Sequence, residues 1–129
     1  RQAVTIDLVT ADNTFRGGCI SPGVTMRFRA LHDYTAKLPL CAATGGEGLS
    51  GLTTEEAIEL GVMNGIAFEI EGYVTRMREK IDGLRVIFTG GDAKFFVKRI
   101  KNTIFANCNL VFCGLNRILE YNASEEHLN

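Results

Sequence analysis

Apolar and polar positions alternate along the first stretch of the chain. In AVTIDLVT, Ala3 to Thr10, Val4, Ile6 and Leu8 point one way and Thr5, Asp7 and Val9 the other, the two-residue period of a half-buried strand. Ala11-Asp12-Asn13 has turn chemistry. The stretch TFRGGCIS that follows returns as a second strand, so residues 3–20 read as a hairpin. Gly17-Gly18 inside the return strand predicts a bulge or a close backbone approach. The period then changes. Ser21-Pro22-Gly23 starts a helix with Pro in its first turn, and Val24, Phe28, Leu31, Thr35 and Leu38 extend it over 22–37, with Pro39 as its stop. Ala43–Gly51 is a glycine-rich loop, expected to be mobile.

Thr53 or Thr54 can cap the next helix, and Glu55 and Glu56 suit its positive end. Ile66, Ile70, Tyr73, Met77 and Ile81 carry the pattern on, so 54–82 reads as nearly all helix, with a bend expected near Gly61 and Gly65. Gly61 and Gly65 weaken it by about 1 kcal/mol each relative to Ala, and Asp82-Gly83 ends it. A strand over 85–89, a turn at Gly90-Gly91 and a helix over 92–101 follow. Residues 102–108 read as a short strand. NLVFCGLNRILEYN closes the pattern as a helix with Val111, Leu115, Ile118 and Leu119 on one face. This order of strands and helices predicts an α/β layer architecture.

Composition narrows the class. The 129 residues, 46% hydrophobic and 22% charged, suffice for one domain with one core and exclude disordered, collagenous and disulfide-scaffold chains. A net charge of −1 gives no indication of a nucleic-acid or membrane partner, and no apolar run approaches the ~20 residues of a membrane span. The basic cluster Lys94, Lys98, Arg99 and Lys101 reads as a solvated helix face. Cys19, Cys41, Cys108 and Cys113 form no C-x-x-C and sit among apolar or small residues, which predicts reduced, packed thiols in a cytoplasmic protein and no metal site. His32 and His127 pair with nothing by spacing. The chain opens with Arg1 and reaches a strand at once, so it is expected to be a piece of a longer protein.

Four places can carry chemistry. In Thr89-Gly90-Gly91-Asp92 a strand enters a helix through two glycines, presenting bare backbone N–H groups at a positive helix end. That is either a plain tight turn or a nucleotide or phosphate contact, with Asp92 as an N-cap rather than a catalytic group. Asp7 is either a metal ligand or base, or a solvated strand residue. GGCISPG is either a ligand loop or a strand-to-helix corner. Thr54 either hydrogen-bonds a substrate carboxylate or caps its helix.

Taken in order, TIDLV, FRGGCISPG, MRFRALHDYTAKLP, GLTTEEAIELG, VIFTGGDA and LVFCGLNRILEYN resemble the C-terminal half of the type III pantothenate kinases over nearly the whole chain. The resemblance implies an acetate and sugar kinase/actin-like fold: here an α/β, ribonuclease H-like half with a mixed sheet, an N-terminal antiparallel hairpin and packed helices. It implies a single domain over 1–129, belonging to a longer two-domain kinase. The implied activity is ATP-dependent phosphorylation of pantothenate, the first step of coenzyme A synthesis, by a cytoplasmic homodimer that uses Mg and a monovalent cation, potassium or ammonium. By this resemblance Gly90 and Gly91, with Thr89, form an adenosine-binding turn, and Thr54, Tyr34 and Lys37 contact pantothenate.

The family's Asp-x-Gly-Asn-Thr phosphate motif is absent, as is the Gly-x-Asp-Arg stretch that supplies its general base, and Arg1-Gln2 stand where a Gly-Thr that helps hold cation and phosphates is expected. Phosphoryl transfer rests on positioning and charge stabilisation, so the chain alone, without the missing N-terminal half, is expected to be inactive, with no catalytic residue of its own. The alternative is a non-catalytic regulatory, transcription-accessory or dimerisation module of the same fold.

Overall fold

The structure is a computed structural model that describes residues 3–100 and 109–112. Its elements are β1 (Ala3–Val9), β2 (Phe15–Pro22), α1 (Val24–Asp33), α2 (Thr54–Lys80), β3 (Arg85–Phe88), α3 (Ala93–Ile100) and β4 (Asn109–Phe112). The class is α/β, with an antiparallel β1–β2 hairpin and a second two-stranded sheet, β3–β4. The contacts divide the chain into two compact units, Arg1–Val4 with Ile20–Ile70 and Thr5–Cys19 with Glu71–Asn129.

The first unit holds α1 and most of α2. Its core is Phe28 of α1 with Ile58, Leu60, Val62, Met63, Ile66 and Ala67 of α2. Ile58, Val62 and Ile66 stand one above another at four-residue steps, with Met63 and Ala67 in the adjoining row. Ile66 is fully buried, and its truncation to Ala is expected to cost about 2–5 kcal/mol. The helix runs through Gly61 and Gly65 without a break.

Helix α1 is shorter than the predicted 22–37 at both ends. Strand β2 continues through Pro22, and the cap residue is Gly23, extended at φ −80° and ψ −174°. Proline's fixed φ suits an extended chain as well as a first helical turn, and it biases the preceding Ser21 away from helix. At the other end Tyr34 closes the helix, its N–H donating to the Ala30 carbonyl at 3.0 Å. Beyond it, the Thr35 hydroxyl donates to the Leu31 carbonyl, the Leu38 N–H donates to Thr35 Oγ1 at 3.4 Å, and His32 Nδ1 lies 2.8 Å from the Leu38 carbonyl. These side chains satisfy the last turn locally and replace the helical ladder over 34–37.

The second unit holds most of the hairpin, residues 5–19, and β3–α3–β4. In β1, Val4, Ile6 and Leu8 are half-buried while Thr5, Asp7 and Val9 are exposed, as the alternation predicts. The turn closes through Thr10 and Thr14, and Asn13 adopts φ 61°. Hydrogen bonds from the Thr10 hydroxyl and then from Thr14 hold the Asp12 carboxyl below its ordinary range. A Cβ at Gly18 would meet the Ile6 carbonyl oxygen at 2.5 Å, the predicted close approach. Among the described residues of this unit, Val74, Phe88, Ala93, Phe96 and Ile100 are the buried apolar side chains.

One predicted element changes type. Residues 109–112, assigned to the closing helix, form β4, which pairs parallel to β3 in the register Arg85↔Asn109 to Phe88↔Phe112. The run Leu110-Val111-Phe112 is too short for periodicity to separate a buried strand from a buried helix. The parallel partner, reached through the α3 crossover, decides it. The predicted strand over 102–108 and the remainder of the closing helix lie outside the described residues, as do Cys108 and Cys113. Cys19 and Cys41 are free thiols, both half-buried. Among the described residues, no helix is long and apolar enough to cross a membrane.

Candidate functional site

Helix α2 begins at Thr54, yet its cap is the preceding residue. The Thr53 hydroxyl accepts the Glu56 N–H at 3.2 Å, and the Glu56 carboxylate reaches back to the N–H groups of Leu52 at 2.9 Å and Thr53 at 3.4 Å. This reciprocal capping box satisfies the helix end without Thr54. Thr54 is exposed, and its hydroxyl makes no side-chain hydrogen bond among the described residues. Of the two readings of this threonine, capping therefore belongs to its neighbour.

The glycine-rich segment that leads into α2 is fastened down rather than loose. Glu59 is buried, 7% exposed, and its carboxylate accepts from the Thr44 N–H, from the Thr44 hydroxyl at 2.9 and 3.0 Å and from the Gly46 N–H at 3.3 Å. One turn further along, Asn64 Nδ2 donates to the Gly48 carbonyl at 2.8 Å. Burial raises the Glu59 pKa more than any single donor lowers it, but the donors of Thr44, Gly46 and Gly45 together prevail and hold it below the ordinary value. The mobile loop expected from the glycine content is thus a strap tied to α2 at Thr44, Gly46, Gly48 and Leu52–Thr53.

The ISPG corner is held by a second acidic residue of α2. Arg27 Nε donates to the Pro22 carbonyl at 2.8 Å, and Arg27 Nη2 pairs with Glu69. Burial raises the Glu69 pKa, but the Ser21 hydroxyl and then Arg27 together outweigh it, for a net downward shift. The corner reading of GGCISPG is the one these bonds support. Tyr34, 89% exposed, and Lys37, also exposed, lie in the turn that follows α1, and no hydrogen bond among the described residues joins either to Thr54.

In the second unit, Thr89, Gly90 and Gly91 connect β3 to α3. Gly90 has φ 97°, a left-handed conformation that glycine adopts at little cost. The Ala93 N–H donates to its carbonyl at 3.3 Å and the Phe95 N–H to the Asp92 carbonyl at 3.2 Å, so the turn is built from main-chain bonds. Among the described residues, a Cβ at Gly90 or Gly91 would meet nothing within 4 Å. Thr89, beside Gly90, is exposed.

The sequence profile of the type III pantothenate kinases matches residues 2–76. The chain belongs to the type III pantothenate kinase family. The matched region contains Tyr34, Lys37 and Thr54. Relatives of that name include one from Flavobacterium psychrophilum, 46% identical over 118 residues, with 92% of this chain and 49% of the relative covered. Another, from Phocaeicola vulgatus, is 47% identical over 119 residues, with 92% and 49% covered. The chain spans about half the length of the curated relatives it matches. A solved structure from Campylobacter jejuni, described as a conserved candidate Baf family transcriptional activator, shares the fold at TM-score 0.56 and 21% identity, covering 95% of this chain and 55% of that one.

Sequence reasoning about this pantothenate kinase family member missed Glu59, Asn64 and the Arg27–Glu69 pair. A signal for Glu59 was present. It interrupts the apolar run Ala57–Met63, and positions 55, 56, 62 and 63 offer it no cation. An acidic residue so placed must find donors outside its helix.

Proposed function

We propose that the chain is the C-terminal, ribonuclease H-like half of a two-domain actin-like kinase that phosphorylates pantothenate to 4'-phosphopantothenate in the cytoplasm. The observation that carries this reading is the family match with its relatives named as type III pantothenate kinases. In this reading the Thr54 hydroxyl donates to the pantothenate carboxylate. Its release from capping duty by Thr53 supports that role. Tyr34 and Lys37, exposed after α1, supply further polar contacts to the same substrate.

ATP would lie against Thr89, Gly90 and Gly91. The room beside both glycines among the described residues fits a flat base or ribose approaching the main chain closely, which a side chain at either position would obstruct. The nucleotide supplies the transferred phosphoryl group, and this chain's turn binds and orients it. For Mg and for potassium or ammonium, the described residues bring together no group of three or more His, Cys, Asp or Glu side chains, and no ion is assigned to them. The general base and phosphate cradle are assigned to the N-terminal half, and the working enzyme is a homodimer. No observation favours the regulatory or dimerisation alternative.

The test is direct. The intact protein is expected to form ADP and 4'-phosphopantothenate in equal amounts, only when ATP and pantothenate are both present, whereas residues 1–129 alone are expected to give no turnover. Steady product from the 129-residue chain, or none from the intact protein, counts against the proposal.

A further inference from the structure

The strap ends where the proposed pantothenate contact begins. Over the ten residues from Thr44 to Thr53, α2 holds it at Thr44 and Gly46 through Glu59, at Gly48 through Asn64, and at Leu52 and Thr53 through Glu56. The longest untied span is the three residues between Gly48 and Leu52. Stability alone does not call for this arrangement, because an apolar side chain at position 59 would serve the α2 core without burying a charge. The partners recorded for Glu59 are neutral donors of the strap, so the carboxylate's hydrogen-bonding capacity is spent on fixing that segment's path.

We propose that Glu59 and Asn64 are positioning residues for the pantothenate site, holding the Thr44–Thr53 strap so that the chain reaches Thr54 in one conformation and its hydroxyl is set before substrate arrives. The inference rests on the reading of Thr54 as a substrate contact. Binding to a site that is already ordered avoids the cost of ordering it on association. Loosening the strap therefore weakens pantothenate binding, while the nucleotide turn, made of its own main-chain bonds, is unaffected.

The experiment uses the intact kinase with Glu59→Gln, Thr44→Val, Thr44→Ser and Thr54→Val. It reads KM for each substrate, kcat, and hydrogen exchange of the strap. Thr44→Val is exposed and removes only the hydroxyl donor, so it decides the matter if Glu59→Gln fails to fold. Glu59→Gln and Thr44→Val are expected to speed strap exchange and raise the pantothenate KM about tenfold, with the ATP KM changed less than about twofold and Thr44→Ser close to wild type. Faster strap exchange with an unchanged pantothenate KM, in a protein where Thr54→Val does raise it, overturns the positioning role and leaves the Thr54 reading intact. An unchanged pantothenate KM in Thr54→Val removes the Thr54 reading and this inference with it.

Discussion

Two glycine-rich segments of this chain look alike as strings and differ as structures. Thr44–Gly51 is tied to α2 by carboxylate and amide side chains, whereas Thr89–Gly91 is a turn of main-chain bonds whose glycines would meet no described residue with an added Cβ. Glycine content alone therefore says little about mobility. What decides it is whether a neighbouring element offers acceptors and donors to the segment's backbone. The strap has them because α2 carries Glu59 and Asn64 on the side it presents to the strap. The turn relies on the strand and helix that it joins.

The sharpest way to break this contrast is to remove the strap's central fastening. Glu59→Ala leaves the donors of Thr44 and Gly46 without their acceptor, and a loss of about 2 kcal/mol is expected in urea unfolding. A loss within ±0.5 kcal/mol, the range of ordinary surface changes, would mean that the strap is not held there. Thr53→Ala should come next, at about 1 kcal/mol by the same measurement, because it deletes the hydroxyl end of the capping box. Thr54→Ala, one residue on, should cost less than Thr53→Ala. The reverse order would return the cap to Thr54.

Acid provides a finer cut. Glu59 and Glu69 both have folded-state pKa values below the ordinary 4.5. A depressed carboxylate adds stability that is fully present above its unfolded value and is lost as the pH falls through the folded one. Stability should therefore decline as the pH drops below about 4.5, and Glu59→Gln should flatten that decline. Equal acid slopes for the two proteins would contradict the assignment. The smallest effect belongs to the open turn. Gly91→Leu should change stability by less than about 0.5 kcal/mol, since an added Cβ meets nothing among the described residues. A large loss would show that this turn is packed.

The sequence made the hairpin, α2 and the β3-turn-α3 unit readable because each has a long binary pattern or a two-glycine break, and tertiary context did not override them. It misplaced the ends of α1, where Pro22 fits strand and helix alike and where Thr35 and His32 replace the ladder with bonds that no periodicity records. It took Asn109–Phe112 for helix because four residues carry no resolvable period, and the parallel pairing that makes them a strand is non-local. Thr54 was readable as polar and helix-initial, but only its neighbour's geometry showed which threonine caps. Glu59 was visible as an acid in an apolar run. Its partners, 13 and 15 residues earlier in the chain, were not.

In the proposed function, the strap side of the chain serves pantothenate and the glycine turn serves ATP. The most direct measurement is a crossed steady-state titration of both substrates in the intact kinase, comparing Thr54→Val with Gly91→Leu. The predicted result is a pantothenate KM raised about tenfold or more by the first variant alone and an ATP KM raised similarly by the second alone. Variants that shift both constants together, or neither, would contradict it.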